Sequence, residues 1–261
     1  MKPFIKWQGG KRRELPHITP YLDNFKTIAE PFCGGSAVSF MTEMQSSLND
    51  QNQRLINLYR VVASDDYYRL KDDVERFKTL TKDELNVRYY QARDYINLNQ
   101  SFDDPYVSAR EFLFIRQQCF SGMERYNRAG KYNVPHGRYK TFGCCLGDEH
   151  HEYLKRTPLT NMNAIDFIKS LDDDAFLFLD PPYLDRAGYE TKDGGIHLHA
   201  ELSILLNTTV KNPWLIVHSD HPFYREAYRN FNIKEVPFKY SQQFNGGDYN
   251  SSVNHLYISN F

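Results

Sequence analysis

Net charge is what this sequence lacks first. Its 32 lysines and arginines against 33 acids leave a formal −1 at neutral pH, so no bulk positive field marks it as a nucleic-acid binder. Long apolar runs are missing too, since none approaches the roughly 18 residues that read as a spanning helix. Cysteine is scarce. Cys33, Cys119, Cys144 and Cys145 show no metal-ligand spacing, and no metal is expected. With no signal peptide, they read as reduced thiols in a cytoplasm. There is no repeat and no low-complexity tail. Two phosphate-binding signatures are also absent: the GxGxxG dinucleotide fingerprint and the P-loop lysine.

What is present suffices for a core. With 261 residues, 41% hydrophobic and 15% aromatic, one large α/β domain, or one carrying a sizeable insertion, is expected. Charge is unevenly spread. Residues 1–13 hold Lys2, Lys6, Lys11, Arg12 and Arg13 and no acid. Residues 110–140 hold Arg110, Arg116, Arg125, Arg128, Lys131, Arg138 and Lys140 against Glu111 and Glu124. Acid gathers elsewhere, as at Asp172, Asp173 and Asp174. Two basic patches on a near-neutral chain fit a partner met on one face. Ordinary solvated surface is the competing reading.

The chain is organised around Ala175-Phe-Leu-Phe-Leu-Asp-Pro-Pro-Tyr183. The run Ala175–Leu179 reads as a strand buried on both faces. Asp180 ends it, and Pro181 and Pro182 cannot continue a ladder because neither donates an N–H. The strand therefore stops at the C-terminal edge, where open α/β sheets bind ligands. A carboxylate, an accepting carbonyl at Pro181 and the ring of Tyr183 suit an amino group on a flat ring. A strand followed by a proline-rich turn is the plain alternative.

The opening stretch Pro3-Phe-Ile-Lys-Trp-Gln-Gly-Gly-Lys11 pairs a glycine turn with Trp7 and Lys11. A turn into a helix near Arg12 would aim N–H groups and Lys11 at an anionic group such as a carboxylate. Lys26–Phe32 reads as a strand ending in Glu30-Pro31-Phe32, followed by Cys33-Gly34-Gly35-Ser36 and a helix from Ala37. Strand, glycine turn, helix is the first unit of a nucleoside-binding fold. Without a phosphate signature it points to a nucleoside lacking a pyrophosphate. A second short strand ends at Asn49-Asp50, where an acid can accept both ribose hydroxyls. Asp50 as the cap of a helix over Gln51–Ala63 is compatible with that role.

From Ser64 to Arg156 the strand–helix rhythm stops. Thr81-Lys-Asp-Glu84 is a capping box, and Pro105 opens a helix toward Cys119. Residues 120–140 are rich in Gly, Asn, Arg and Tyr and read as a hairpin or loop. Arginine forks read guanine edges, and aromatics stack on or wedge between bases. An ordinary surface loop is the alternative. Thr157–Ala164 leads to Ile165-Asp166-Phe167 at a strand end, where Asp166 can accept from a cofactor adenine or cap a helix. Gly194-Gly195 reads as a mobile loop and His199–Val210 as a helix. Trp214–Val217 reads as another buried strand, and Gly246-Gly247 with Val253–Ile258 as a closing antiparallel hairpin.

Taken together, Lys6-Trp-Gln-Gly-Gly-Lys11, Glu30-Pro-Phe-Cys-Gly-Gly35, Asn49-Asp50, Asp166-Phe167 and Asp180-Pro-Pro-Tyr183 resemble the Dam-type (class α, D12) DNA adenine-N6 methyltransferases. Arg125-Tyr-Asn-Arg-Ala-Gly-Lys-Tyr-Asn-Val-Pro-His-Gly-Arg-Tyr-Lys140 resembles their target-reading hairpin. The resemblance covers nearly the whole chain, with the motifs in family order. It implies a Rossmann-like methyltransferase sheet (residues 1–63 and 157–261) and an inserted, mainly helical target-recognition domain (64–156). It also implies S-adenosyl-L-methionine as donor, S-adenosyl-L-homocysteine as product and double-stranded DNA as partner. It leaves a cognate restriction endonuclease open and favours a monomer.

By that resemblance Trp7, Lys11, Phe32, Asp50, Asp166, Phe167 and Asp180 lie on the cofactor, with Gly9, Gly10 and Gly34 in the same turns. Asp180, Pro181, Pro182 and Tyr183 carry the chemistry. Lys6, Phe120, Met123, Arg125 and Pro135 fall where the family contacts bases around GATC, and Ser121, Asn127 and Arg138 complete the DNA-contact set. Phe120 and Ser121 stand where Tyr and Asn are familiar, and the tail 245–254 is less basic than in familiar members. A sequence-tolerant adenine methyltransferase, a cytosine-N4 enzyme and a non-catalytic DNA-binding relative are the alternatives.

Overall fold

Seven strands share one sheet in a computed structural model that describes residues 1–99, 102–184, 195–239 and 252–261. The strands are β1 (Thr27–Glu30), β2 (Gln45–Asn49), β3 (Leu159–Thr160), β4 (Phe176–Leu179), β5 (Trp214–Ser219), β6 (Asn232–Lys239) and β7 (Ser252–Ser259). Their spatial order is β3-β2-β1-β4-β5-β7-β6. The first five run parallel. β7 is antiparallel to both β5 and β6 and lies between them.

Sequence explains the centre of the sheet. Every residue of β4 and of β5 is buried, as parallel strands covered on both faces require. Side chains alternate across the sheet. Leu177, Leu179, Trp214 and Ile216 enter one apolar cluster, and Phe176, Phe178, Leu215 and Val217 enter another.

The helices are α1 (Leu15–Ile18), α2 (Ala37–Thr42), α3 (Gln53–Ala63), α4 (Asp66–Lys78), α5 (Lys82–Leu98), α6 (Pro105–Gln118), α7 (Asp148–Lys155), α8 (Ala164–Lys169), α9 (Ile196–Thr208) and α10 (Pro222–Ala227). Thr81 and Glu84 form the expected capping box of α5. Asp104 caps α6 by accepting from Val107 N–H at 3.0 Å, with Pro105 in its first turn. Among the described residues no helix is long and apolar enough to cross a membrane.

Segment 64–156 supplies α4–α7, and its core is not separate. One cluster runs from Phe4, Phe40 and Leu48 through Leu55 and Tyr59 of α3 to Phe112, Val134, Leu146 and Tyr153. α4, α6 and α7 therefore pack onto α3, with α5 against α6, as an outgrowth of the sheet layer.

Three local expectations need correction. The α3 cap is Asn52, whose side chain accepts from Leu55 N–H at 3.1 Å, and not Asp50. Asp166 and Phe167 do not end a strand. β3 stops at Thr160, Asn163 caps α8, and both residues lie inside that helix. The 120–140 hairpin makes only isolated bridges, Cys119 with His136 and Tyr126 with Tyr132. Gly194 of the anticipated loop, and Gly246 and Gly247 of the closing turn, lie outside the described residues, whereas Gly195 caps α9.

Candidate active site

β1 and β4 are neighbours, but the chain continues from β1 to β2 on one side and from β4 to β5 on the other. At such a reversal the loops leaving the C-terminal strand ends part and leave a crevice. Glu30 ends β1 and Asp180 follows β4. A cavity of about 500 Å³ opens between them, with Trp7, Phe32, Asp50, Asp180 and Tyr183 in its walls.

The β4 side is rigid because Pro181 and Pro182 have fixed φ and no N–H. Lys11 Nζ lies 2.6 Å from Asp180 Oδ1, and the lysine is only 3% exposed. The same ammonium donates to Gly9 O at 3.0 Å and stands 3.8 Å from Glu14 Oε1. Burial raises the Asp180 carboxyl above its usual range, and the Lys11 charge opposes that rise. Glu14 is buried beneath the lysine. It meets His255 Nδ1 at 2.7 Å and accepts from Tyr257 OH at 2.9 Å. Burial pushes Glu14 upward, but His255, Lys11 and Tyr257 hold it below its ordinary value.

Tyr183 is backed by a wall of rings. It lies 4.6 Å from His218 and edge-on to His255 at 5.6 Å. His218 stacks on Tyr224 at 4.0 Å, and Tyr224 OH is 2.6 Å from His199 Nδ1. Burial lowers His218 to about 3 and His199 to about 4, so both rings are neutral near pH 7. His218 Nε2 accepts from Leu184 N–H at 3.3 Å, and Nδ1 faces Ser219 O at 2.8 Å. That pattern places the ring proton on Nδ1. Glu14, His199, His218, Tyr224 and His255 escaped the sequence reading. No local motif marks them, since they converge on the Asp180–Tyr183 edge from separate elements: the turn after Lys11, α9, β5, α10 and β7.

The β1 side is built on Gly34. Its φ is +46°, and a Cβ there would stand 2.6 Å from Trp7 Nε1. A Cβ on Gly35 would stand 2.9 Å from Trp7 Cβ. Trp7 thus lies flat on a turn that only a missing side chain allows. Asp50 fastens this turn from the β2 side. Its Oδ2 accepts from Gly34 N–H at 2.9 Å and its Oδ1 from Asn52 N–H at 2.8 Å. Burial pushes Asp50 up to about 6 against those two bonds. Glu30 accepts from Ser39 N–H at 2.9 Å and from the Ser39 hydroxyl. Burial pushes Glu30 up to about 7, with Asp180 adding to the rise. Cys33 is buried and its thiol is raised well above the ordinary value, which makes it a packing residue. Phe32, Gly9 and Gly10 also line the cavity.

Asp166 and Phe167 are not brought to this cavity. Asp166 faces solvent in α8, and Phe167 is buried in the core against the sheet. The helix turns one outward and the other inward.

Glu124 and Tyr126 bring the 120–140 loop to the other wall, and the expected DNA contacts lie on that loop and at Lys6, outside the cavity lining. Phe120 is 47% exposed beside Ser121, which adopts φ +55°. Lys6 Nζ donates to Gln117 O at 2.6 Å and lies 3.7 Å over the Tyr139 ring. Arg125 is exposed, yet its Nε donates to Asn133 Oδ1 at 2.8 Å and its Nη2 to Asn133 O at 3.2 Å. Asn127 Oδ1 accepts from Ala129 and Lys131 N–H groups, both at 3.0 Å, and closes the turn. Met123 is half-buried, while Pro135 and Arg138 are exposed. Arg116 leaves the basic patch altogether. It is fully buried and donates to Lys6 O, Gly122 O and Met123 O.

Around the cavity Glu30, Asp50 and Asp180 stand against Lys11 and Arg54, while the Glu124 carboxylate in the same wall is taken up by Asn52, Tyr126 and Arg116. Such an excess of carboxylates suits a ligand bearing cationic centres and a nucleoside. Comparison with known proteins agrees. The family profile of D12 class N6 adenine-specific DNA methyltransferase matches residues 7–242. The chain is 33% identical to the type II methyltransferase M.CviBI of Paramecium bursaria Chlorella virus NC1A, over 100% of both chains. It is 29% identical to the type II methyltransferase M.MjaIII of Methanocaldococcus jannaschii, over 100% of this chain and 99% of that one. It is 30% identical to the DNA adenine methylase of Escherichia coli K12, over 94% of this chain and 91% of that one. The chain that folds this acid-rich crevice at the β1–β4 reversal, with Asp-Pro-Pro-Tyr on its rim, therefore belongs to the D12 class of N6 adenine-specific DNA methyltransferases.

Proposed function

We propose that the protein methylates adenine N6 at a defined sequence in double-stranded DNA, GATC being the first candidate, after the target base has left the helix. The observation that carries this reading is the Lys11–Asp180 pair beside Pro181 and Tyr183, at the mouth of an acid-rich cavity. S-adenosylmethionine bound in the cavity supplies a methyl group on a sulfonium. Asp50 accepts the ribose hydroxyls, Trp7 and Phe32 flank the nucleoside, and Glu30 lies toward its cationic end. Asp166 and Phe167 are left out of this assignment because of their place in α8.

An adenine inside a duplex has its N6 paired and out of reach, and extruding it costs a few kcal/mol. Phe120 fills the gap, and segment 64–156 holds the duplex. Tyr183 stacks on the extruded ring, held from behind by His218 and His255. Lys11 engages Asp180 Oδ1 and directs the amino group to Oδ2, while the Pro181 carbonyl accepts its second N–H. These bonds turn the N6 lone pair, otherwise delocalised into the ring, toward the methyl. Asp180 is also the acceptor for the proton N6 sheds. Orientation and electrostatics account for the rate without a covalent enzyme intermediate.

A second reading, methylation with little sequence choice, has its own support. Lys6 and Arg125, the expected base readers, already give one and two of their donors to Gln117 and Asn133. One experiment separates the two. Purified protein and S-adenosylmethionine are incubated with a plasmid free of adenine methylation, and N6-methyladenine is mapped position by position. Marks confined to GATC support the first reading, and marks at many adenines the second. No N6-methyladenine from folded, cofactor-binding protein overturns both.

A further inference from the structure

Glu124 is one of two acids in an otherwise basic stretch, 110–140. Its carboxylate is 16% exposed in the cavity wall and serves three neighbours. Oε1 accepts from Asn52 Nδ2 at 2.6 Å and from Tyr126 OH at 2.9 Å. Oε2 lies 3.5 Å from Arg116 Nη1. Each neighbour leads to a different part of the site. Asn52 donates its backbone N–H to Asp50, the acid that fastens the glycine turn. Arg116, wholly buried, holds the carbonyls of Gly122 at 2.7 Å and Met123 at 3.0 Å. It also holds that of Lys6 at 3.2 Å and lies 4.4 Å over the Trp7 ring.

The contacts close a circuit around the cavity: Asp50, Asn52, Glu124, Arg116, Trp7, Gly34 and back to Asp50. On this circuit the Asn52–Glu124 bond is the direct span between the cofactor half and the loop that carries Phe120, Met123 and Arg125. A buried guanidinium needs a counter-charge, so Glu124 also keeps Arg116 in place beneath that loop.

We infer that Glu124 is a positioning residue that sets the DNA-reading loop at a fixed distance from the cofactor through Asn52, and hence sets where the flipped adenine meets the methyl group. The inference rests on the proposed methyl transfer and adds a residue whose carboxylate oxygens are engaged by Asn52, Tyr126 and Arg116. Small errors of placement lower the chemical rate more than they lower binding. That gives the role a signature which mere loss of stability lacks.

The test exchanges amide and carboxylate across the bond. N52D keeps the α3 cap, because Asp caps as well as Asn, but sets two carboxylates face to face. E124Q keeps an accepting oxygen, and N52D/E124Q restores a donor, an acceptor and the counter-charge. Single-turnover methylation of a duplex carrying the mapped site is measured, together with dissociation constants for S-adenosylhomocysteine and for the duplex. N52D should lose about tenfold or more in rate while both dissociation constants move by less than about threefold. The double variant should return to within about threefold of the wild-type rate. E124A, which leaves the α3 cap untouched, should show the same split. A wild-type rate in N52D and E124A overturns the inference, and so does a double variant no faster than N52D. If the wild-type protein transfers no methyl group at all, it is the underlying reading that fails.

Discussion

Lys11 Nζ and Asp180 Oδ1 lie 2.6 Å apart, although one precedes β1 and the other follows β4. The pair fixes the orientation of the Asp180 carboxyl, and the lysine charge opposes the upward push of burial on its pKa. Removing the lysine with K11M takes away the charge that opposes burial, so the Asp180 pKa then rises further. Turnover at neutral pH should fall at least about tenfold. Because the proposed reaction needs Asp180 ionised, the acid limb of the single-turnover profile should move to higher pH. A profile unchanged in position would mean that Lys11 does not control the Asp180 proton.

Glu30 is pushed up to about 7 by burial. An acid with a raised folded-state value stabilises the fold while protonated. That contribution is full below about 4.5 and is lost as pH rises through about 7. The shift is worth on the order of 3 kcal/mol across that window. The E30Q protein without cofactor should therefore lose less stability than wild type when urea unfolding is repeated at about pH 5 and about pH 8. Parallel curves for the two proteins would refute the assignment.

Gly34 should be intolerant of any side chain. In G34A the new methyl meets Trp7 Nε1 on a backbone at φ +46°, and the two strains together should cost about 1–3 kcal/mol. Binding of S-adenosylhomocysteine should weaken in step, because Trp7 must leave the turn. Thermal unfolding and a titration followed by Trp7 fluorescence would show both effects, and a normal titration would exclude Trp7 from the cofactor site.

His218 supports Tyr183 from behind and takes the Leu184 N–H. H218A should lower the single-turnover rate by about tenfold or more while cofactor binding changes little. H218F, which keeps the ring but loses the acceptor, should fall between. Equal losses in rate and cofactor affinity would point to general disorder of the sheet edge instead.

Much of the frame was legible where one residue type carries one physical demand. Phe176–Leu179 is apolar throughout and became a strand buried on both faces, and Pro181 and Pro182 ended it. The capping box at Thr81 formed as written. Position in space was less legible. Asp166 was expected at a strand end, but the short β3 gave way to a helix capped by Asn163. Arg116 read as part of a basic surface and is buried, because its carbonyl partners Lys6, Gly122 and Met123 come from two distant stretches. His218 and His255 were invisible for the same reason, since sheet order makes them neighbours of Tyr183, and Glu14, three residues after Lys11, gains its partners His255 and Tyr257 only from β7.

β7 comes last of the seven strands in the chain yet lies inside the sheet, between β5 and β6. It also carries His255 and Tyr257, the partners of the Glu14 carboxylate beneath Lys11. Synthesis therefore delivers the cavity walls early and their electrostatic foundation late. Until β7 leaves the ribosome, β5 keeps a bare edge open to wrong pairing, and Glu14 lacks both partners. Asp180 and Tyr183 thus enter the chain well before His255, which packs against Tyr183 and meets the Glu14 carboxylate under Lys11.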